Sequence, residues 1–202
     1  MTTEVWIGML IAVSYVLGSV PTGLWLGLAL RGQDIRKFGS GNIGATNTFR
    51  ALGKGMGITA LVCDMAKGLG PVVVALLLFA SEYVAMGCGL AAILGHSFSI
   101  FLKFRGGKGV ATSAGVFLGL IPVATLIAAG VFLLVFWRTR MVSLGSVLAA
   151  AALGVAVFLL PLIPGVAISW PMRMLAALVA VLVIVKHRTN IKRVLAGEEH
   201  KF

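Results

Sequence analysis

Acidic residues are scarce in this chain, with 6 Asp and Glu against 17 Lys and Arg among 202 residues and all charged residues together at 11%. That is well below the roughly 25% of an ordinary soluble domain. A hydrophobic share of 59% and a mean hydropathy of +1.06 point to a bilayer as the solvent instead. Cysteine is almost missing too. Cys63 and Cys88 sit in apolar stretches at different expected depths, which excludes a disulfide framework and gives neither thiol a catalytic setting. A basic n-region is also lacking: Glu4 precedes the uncharged run Val5–Leu30, which reads as a first span and not as a cleaved targeting peptide.

A net charge of +11 would suggest nucleic acid in a soluble protein. Here the cations flank apolar spans, so anionic head groups and the positive-inside bias account for them, and no nucleic-acid partner is expected. Apolar stretches run at about 5–30, 56–80, 83–102, 109–137, 141–163 and 171–185. At about 20 residues per crossing they give six spans. The charge distribution argues for one more. If Val110–Trp137 crossed once, Arg138 and Arg140 would lie outside with Lys186, Arg188, Lys192, Arg193 and Lys201. If it turns back near Gly119 and Pro122, all 17 cations except Arg173 and Lys67 fall on the cytoplasmic side. The sequence therefore predicts an all-α integral membrane protein, one domain over residues 1–202. It has seven transmembrane helices, a periplasmic N-terminus and a cytoplasmic C-terminus. The fourth and fifth helices are short, at about 14 residues or roughly 21 Å each. Trp6 and Trp170 on the outer side and Trp137 on the inner side suit interfacial belts. The outer connections, a turn at Ser81–Tyr83 and the uncharged Pro161–Pro171, offer little chemistry.

Three polar segments, rich in Gly, Lys and Arg, interrupt the spans and read together as one site for phosphate groups at the membrane surface. In the first, Ser40 to Arg50, Gly41 and Gly44 permit backbone N–H groups to point into one concavity. Asn42, Thr46, Asn47 and Thr48 add donors without bulk. No G-x-x-x-x-G-K-[ST] occurs, so this is not a nucleotide-binding P-loop. The plainer alternative is a polar turn capped by Ser40 or Asn42. In the second, Phe104 to Thr112, Lys108 stands among Gly106, Gly107 and Gly109 at the start of the next helix, where an anion is favoured. Arg105 reads as a membrane-boundary residue, and His96 as either a structural hydrogen-bond donor or a substrate contact.

The third segment ends the last span with Lys186, His187, Arg188 and Asn190, then continues as an amphipathic tail in which Lys192 and Arg193 meet anionic membrane lipids. His187 and Asn190, three residues apart, share a helix face and look aimed into the bundle. Asp64 and Lys67 have the same spacing inside the second span, where a mutual ion pair supporting the polar site is the default reading.

Those residues resemble the bacterial acyl-phosphate:glycerol-3-phosphate acyltransferases of PlsY type. The resemblance runs through Gly18-Ser-Val-Pro-Thr-Gly23, Ser40 to Arg50, Asp64-x-x-Lys67-Gly68, Gly95-His-Ser-Phe98, Gly106 to Thr112, Ser143-Leu-Gly-Ser146 and Lys186-His-Arg-x-Asn-Ile191. It departs at Ser99, where the family commonly has proline, and at Arg105, where lysine is common. The resemblance implies transfer of a fatty acyl group from acyl phosphate to the 1-hydroxyl of sn-glycerol 3-phosphate, giving lysophosphatidic acid and phosphate. It implies no cofactor and no metal, a bacterial inner-membrane location, membrane lipids as surroundings, and functional coupling to the enzyme that produces acyl phosphate. The H-x-x-x-x-D signature of the larger acyltransferase class is missing, since Phe101 follows His96 and Lys192 follows His187 at that spacing.

Two reactants bearing phosphate bring about three to four negative charges together, given second pKa values near 6. Lys108 and Arg50 are the residues expected to neutralise them, with Ser40, His187 and Asn190 orienting the glycerol phosphate. The matched motifs also carry the candidate substrate contacts. These are Gly41, Asn42, Thr46 and Asn47 in the first, His96, Gly106, Gly107 and Thr112 around the second, and Ser143 near Arg138 and Arg140. The general base stays open between His187 and a substrate phosphate oxygen. The acyl chain is expected between helices, along faces such as Ala149–Gly154. A transporter for phosphorylated solutes would use the same cations, but it needs polar residues through the outer half, where this chain has almost none. A lipid-binding scaffold without catalysis is the other rival.

Overall fold

The computed structural model describes residues 2–202 and is all-helical among them. Among the described residues four helices are each long and apolar enough to cross a membrane, or up to six spans if each of two bent helix pairs is counted as one. The chain forms two compact units, one up to Leu120 and the other from Ile121 to Phe202.

The first unit begins with α1 (Thr3–Ser19) and α2 (Thr22–Arg31), which break the single span expected over 5–30 with a bend of 50°. Pro21 lies in the break, and the carbonyl of Val20 turns out of the helix to accept from Lys67 Nζ at 2.8 Å. A 3-10 turn at Ile35–Lys37 and α3 (Ala45–Leu52) follow, then α4 (Lys54–Phe79), α5 (Glu82–Ser97) and α6 (Val110–Leu120). The turn expected at Ser81–Tyr83 is present: Ala80 adopts a left-handed φ of 48°, and Ser81 caps α5 by accepting from Val84 N. Leu24, Ile35 and Ile43 form a small core under the first polar segment, with Leu102 packed against it.

Packing here inverts the soluble pattern. Large side chains such as Leu77 and Leu78 face outward, while glycine, alanine and serine lie between helices, as expected where lipid and not water surrounds the bundle. Two crossings are reciprocal. A Cβ on Gly18 of α1 would strike the Ala92 carbonyl of α5, and one on Gly95 would strike the Tyr15 carbonyl. Likewise Gly68 of α4 faces the Thr112 carbonyl of α6, and Gly115 faces the Met65 carbonyl. Ser99, where the family commonly has proline, donates its hydroxyl to the Ser19 carbonyl at 2.6 Å, beside the break between α1 and α2.

The second unit comprises α7 (Pro122–Thr139), α8 (Val142–Leu159), α9 (Trp170–Lys186) and α10 (Arg188–Leu195), with α8 packed between α7 and α9. The expected break in 109–137 falls at Ile121, where Pro122 starts a new helix without needing its missing N–H satisfied. The two arms are not equal at 14 residues. They contain 11 and 18, because the proline alone sets the break while Gly119 stays helical. α9 and α10 are bent by 58° at His187.

Cys63 is exposed and Cys88 buried, and both thiols are free. Replacing Gly115 by Leu should force α6 off α4, because overpacking of this kind costs about 1–3 kcal/mol and here the obstacle is backbone. The expected outcome is a lower melting temperature in detergent than Gly130→Leu gives, at a glycine whose Cβ would meet nothing.

Candidate active site

The first polar segment is organised by Asn47. Its side chain is 1% exposed; its Oδ1 accepts from Ser40 N at 3.0 Å, and its Nδ2 donates to the carbonyls of Ile35 and Asn42 at 2.8 Å each. The loop can close so tightly because Gly39 and Gly41 adopt φ values of 52° and 68°. Neither Ser40 nor Asn42 caps α3, whose N-cap is Gly44. Thr48, also buried, donates back to the Gly44 carbonyl, and Gly23 of α2 lies against its hydroxyl. Gly41, Asn42, Thr46 and Arg50 sit at the surface or half-buried on this frame, and the stem of Arg50 runs beside Gly39. Asn47 is thus committed to the loop itself. The Asp34 pKa is held at about 2, chiefly by the side-chain hydrogen bonds from Arg36 and against the opposing effect of burial, so the segment's lone carboxylate is occupied locally.

Lys108 is half-buried, two residues before α6 begins. The glycines before it approach His96 and not open space. A Cβ on Gly106 would strike the His96 carbonyl, one on Gly107 would strike the His96 ring at Nε2, and Gly107 N donates to the His96 carbonyl at 2.9 Å. Gly109, with φ of 79°, turns the chain into α6, whose start is fixed by the Gly68 crossing at Thr112. Thr112 is fully buried, and its hydroxyl has no hydrogen-bond partner among the described residues.

Beneath this loop the expected pair of Asp64 and Lys67 is present at 2.8 Å, with both side chains buried. Thr22 donates to the same carboxylate oxygen at 3.1 Å, and His96 Nδ1 lies 3.9 Å from it. One carboxylate thus joins α2, α4 and α5.

In the second unit, His187 is 3% exposed at the bend between α9 and α10, and its Nδ1 lies 2.8 Å from the Val183 carbonyl. That contact assigns the neutral ring's proton to Nδ1 and leaves Nε2 as the acceptor. Asn190, 4% exposed, shares its burial as the three-residue spacing predicted. Sequence reasoning missed the group that binds it. Glu199 is buried: its Oε1 accepts from Ser143 Oγ and Asn190 Nδ2 at 2.7 Å each, and its Oε2 accepts from Arg193 Nε at 2.9 Å. Arg193, expected at lipid head groups, is the partner of that carboxylate. Phe202 N donates to the Arg140 carbonyl at 2.9 Å, and its ring meets Phe136 edge-on. The available signal was scarcity: Glu199 is one of 6 acidic residues in the chain, in a polar tail with no other evident task.

Small-residue crossings between apolar helices, with polar glycine-rich loops at helix ends, define a multi-pass membrane protein. The comparisons with known proteins make this specific. The model of the glycerol-3-phosphate acyltransferase family matches residues 8–197, and the chain belongs to that family. It is 50% identical over 192 residues to a glycerol-3-phosphate acyltransferase of Trichlorobacter lovleyi, covering 95% of each chain. It is also 50% identical over 198 residues to one of Geobacter sulfurreducens, covering 96% of each. Two crystal structures of PlsY, described as an integral membrane glycerol 3-phosphate acyltransferase, share 37% identity over 97% of this chain and 95% of that one. Their TM-scores are 0.88 for the glycerol 3-phosphate form and 0.83 for the lysophosphatidic acid form.

Burial raises the Glu199 pKa, but hydrogen bonds from Ser143, Asn190 and Arg193 outweigh it, and the carboxyl sits below its ordinary 4.5. A depressed folded-state value means that the tail's docking is stabilised above the ordinary value and loses that stabilisation as pH falls through the folded one. The protection of the Phe202 amide, the exchange rate of an unstructured amide at the same pH divided by its own, should therefore be constant from neutrality to about pH 5 and fall below the ordinary carboxyl range. Glu199→Gln should show that lower protection at neutral pH already and little change with pH, at a cost of about 1–3 kcal/mol for the lost hydrogen bonds to a charged group.

Proposed function

We propose that this acyltransferase moves a fatty acyl group from acyl phosphate to the 1-hydroxyl of sn-glycerol 3-phosphate, releasing lysophosphatidic acid and inorganic phosphate as the first acylation of phospholipid synthesis. The glycine-seated Lys108 loop carries this reading, since it holds a half-buried cation two residues ahead of the α6 N-terminus. The acceptor and product named for the two PlsY crystal forms support the same reaction. Lys108 and Arg50 neutralise the phosphates, while Ser40, His187 and Asn190 orient the glycerol phosphate. Gly41, Asn42 and Thr46 add contacts from the first loop, Thr112 from the start of α6, and Ser143 from α8. Asn47, Gly106 and Gly107 shape the loops that carry these contacts.

The acceptor oxygen attacks the acyl carbon, the bond from that carbon to the phosphate oxygen breaks, and the hydroxyl proton passes to a substrate phosphate oxygen. Acyl phosphate is already activated, so positioning and charge stabilisation supply most of the rate. Purified protein should form lysophosphatidic acid from acyl phosphate, with one phosphate per product, and not from acyl-CoA or acyl carrier protein; equal turnover with acyl-CoA would refute the donor. In the same assay Lys108→Ala and Arg50→Ala should each lose about 10²–10³ in rate. Lys192→Ala should lose far less, at about 1 kcal/mol for a surface lipid contact. His187→Gln should retain substantial activity and a similar pH profile; a folded variant as inactive as Lys108→Ala would make His187 the base.

We place the protein in the bacterial inner membrane with seven spans, counting α1 with α2 as one and α6 as a short one, with the active site cytoplasmic. The cation distribution around the spans supports this orientation. In a variant lacking Cys63 and Cys88, Thr139→Cys should react with impermeant thiol reagents from the cytoplasmic side only. Periplasmic labelling would overturn the topology.

A further inference from the structure

We infer that Asp64 and His96 are positioning residues for Lys108: the carboxylate orients the imidazole, and the imidazole is the seat on which the Gly107 backbone rests. The inference rests on the reading of Lys108 as an anion-binding residue. Asp64 is 2% exposed and lies within a span, where an uncompensated charge is costly. Its oxygen Oδ1 faces Lys67 Nζ at 2.8 Å, Thr22 Oγ1 at 3.1 Å and His96 Nδ1 at 3.9 Å. Lys67 and Thr22 balance and fix the carboxylate. Lys67 is itself anchored to the Val20 carbonyl, at the end of α1. The electrostatic preference of that fixed charge is to have an N–H at His96 Nδ1, which turns Nε2 the other way.

Nε2 faces the Lys108 loop. A methyl group on Gly107 would collide with it, and one on Gly106 would collide with the His96 carbonyl, to which Gly107 N is bonded at 2.9 Å. His96 is 5% exposed, and the Gly107 backbone covers its ring. On this inference His96 takes the structural of the two roles the sequence left open. The side chain then acts through backbone: a tilt of the ring moves Gly107, and Gly107 is joined directly to Lys108. Misplacement by about 1 Å at such a site is enough to cost on the order of 10² in rate.

The test is a set of rate measurements on purified full-length protein with acyl phosphate and glycerol 3-phosphate, at a temperature where the melting curve of each variant shows it folded. His96→Asn, which offers an amide N–H near the place of Nδ1, should stay within about tenfold of the parent. His96→Leu, of similar bulk but without that group, should lose about 10². In an Asp64→Asn background His96→Leu should add less than about threefold, since coupled residues are non-additive. Gly107→Ala should lose at least about 10² as well, and adding His96→Ala should return about tenfold by removing the ring it strikes. Equal losses for His96→Asn and His96→Leu, or multiplicative losses in both pairs, would overturn the inference. Full activity of Lys108→Ala would instead overturn the reading on which it rests, and the two failures are distinguishable because the cycles report on loop geometry whichever residue binds the anion.

Discussion

The buried pair of Asp64 and Lys67 is the interaction on which the first unit depends. Neither charge can stand alone inside a span, and removing one partner of such a pair typically costs 3–5 kcal/mol. Mutual neutralisation alone would need only α4. The pair does more, because each member has a second partner on a broken segment: Lys67 takes the Val20 carbonyl left by the end of α1, and Asp64 takes the Thr22 hydroxyl at the start of α2. Membrane helices break only where freed backbone groups find partners within the protein. The ion pair thus permits the break at Pro21, and the break lets α2 lead into the first polar loop.

Polar chemistry at the site is built on glycine, in two different ways. Gly39 and Gly41 supply left-handed backbone, so the first loop can fold around Asn47. Gly106 and Gly107 instead supply missing volume, so the second loop can lie on His96. From the sequence alone, Gly41 and Gly44 are assigned to a concavity of N–H groups for a phosphate, and Gly106, Gly107 and Gly109 to the close approach of an anion. Without a partner in view, a glycine needed for φ, one needed for packing and one needed for a substrate look alike.

Much of the architecture was legible in the sequence. Apolar run lengths located the long helices, Pro122 located the break after α6, and the spacing of Asp64 and Lys67 gave the ion pair. The division of 5–30 was not legible, because Pro21 lies in an uninterrupted apolar run and the group that tolerates it, Lys67, is 46 positions away in the chain. Glu199 was missed for a similar reason: its partners Ser143 and Asn190 are joined to it only by the fold. The family motifs marked the polar loops, but within those loops they could not separate Asn47, whose polar atoms are spent on backbone, from Arg50 three residues later.

The reciprocal glycine crossings have a thermodynamic consequence. At α1 with α5 and at α4 with α6, each helix brings a glycine Cα against a carbonyl of the other, the arrangement in which Cα–H···O contacts form. Surface buried there is withdrawn from lipid chains and not from water. The heat-capacity change that accompanies apolar dehydration is therefore largely missing from these contacts. Their strength should vary little with temperature where a soluble core's would follow a pronounced dome, and a cell growing in the cold would keep these helices joined without altering a residue at the crossings.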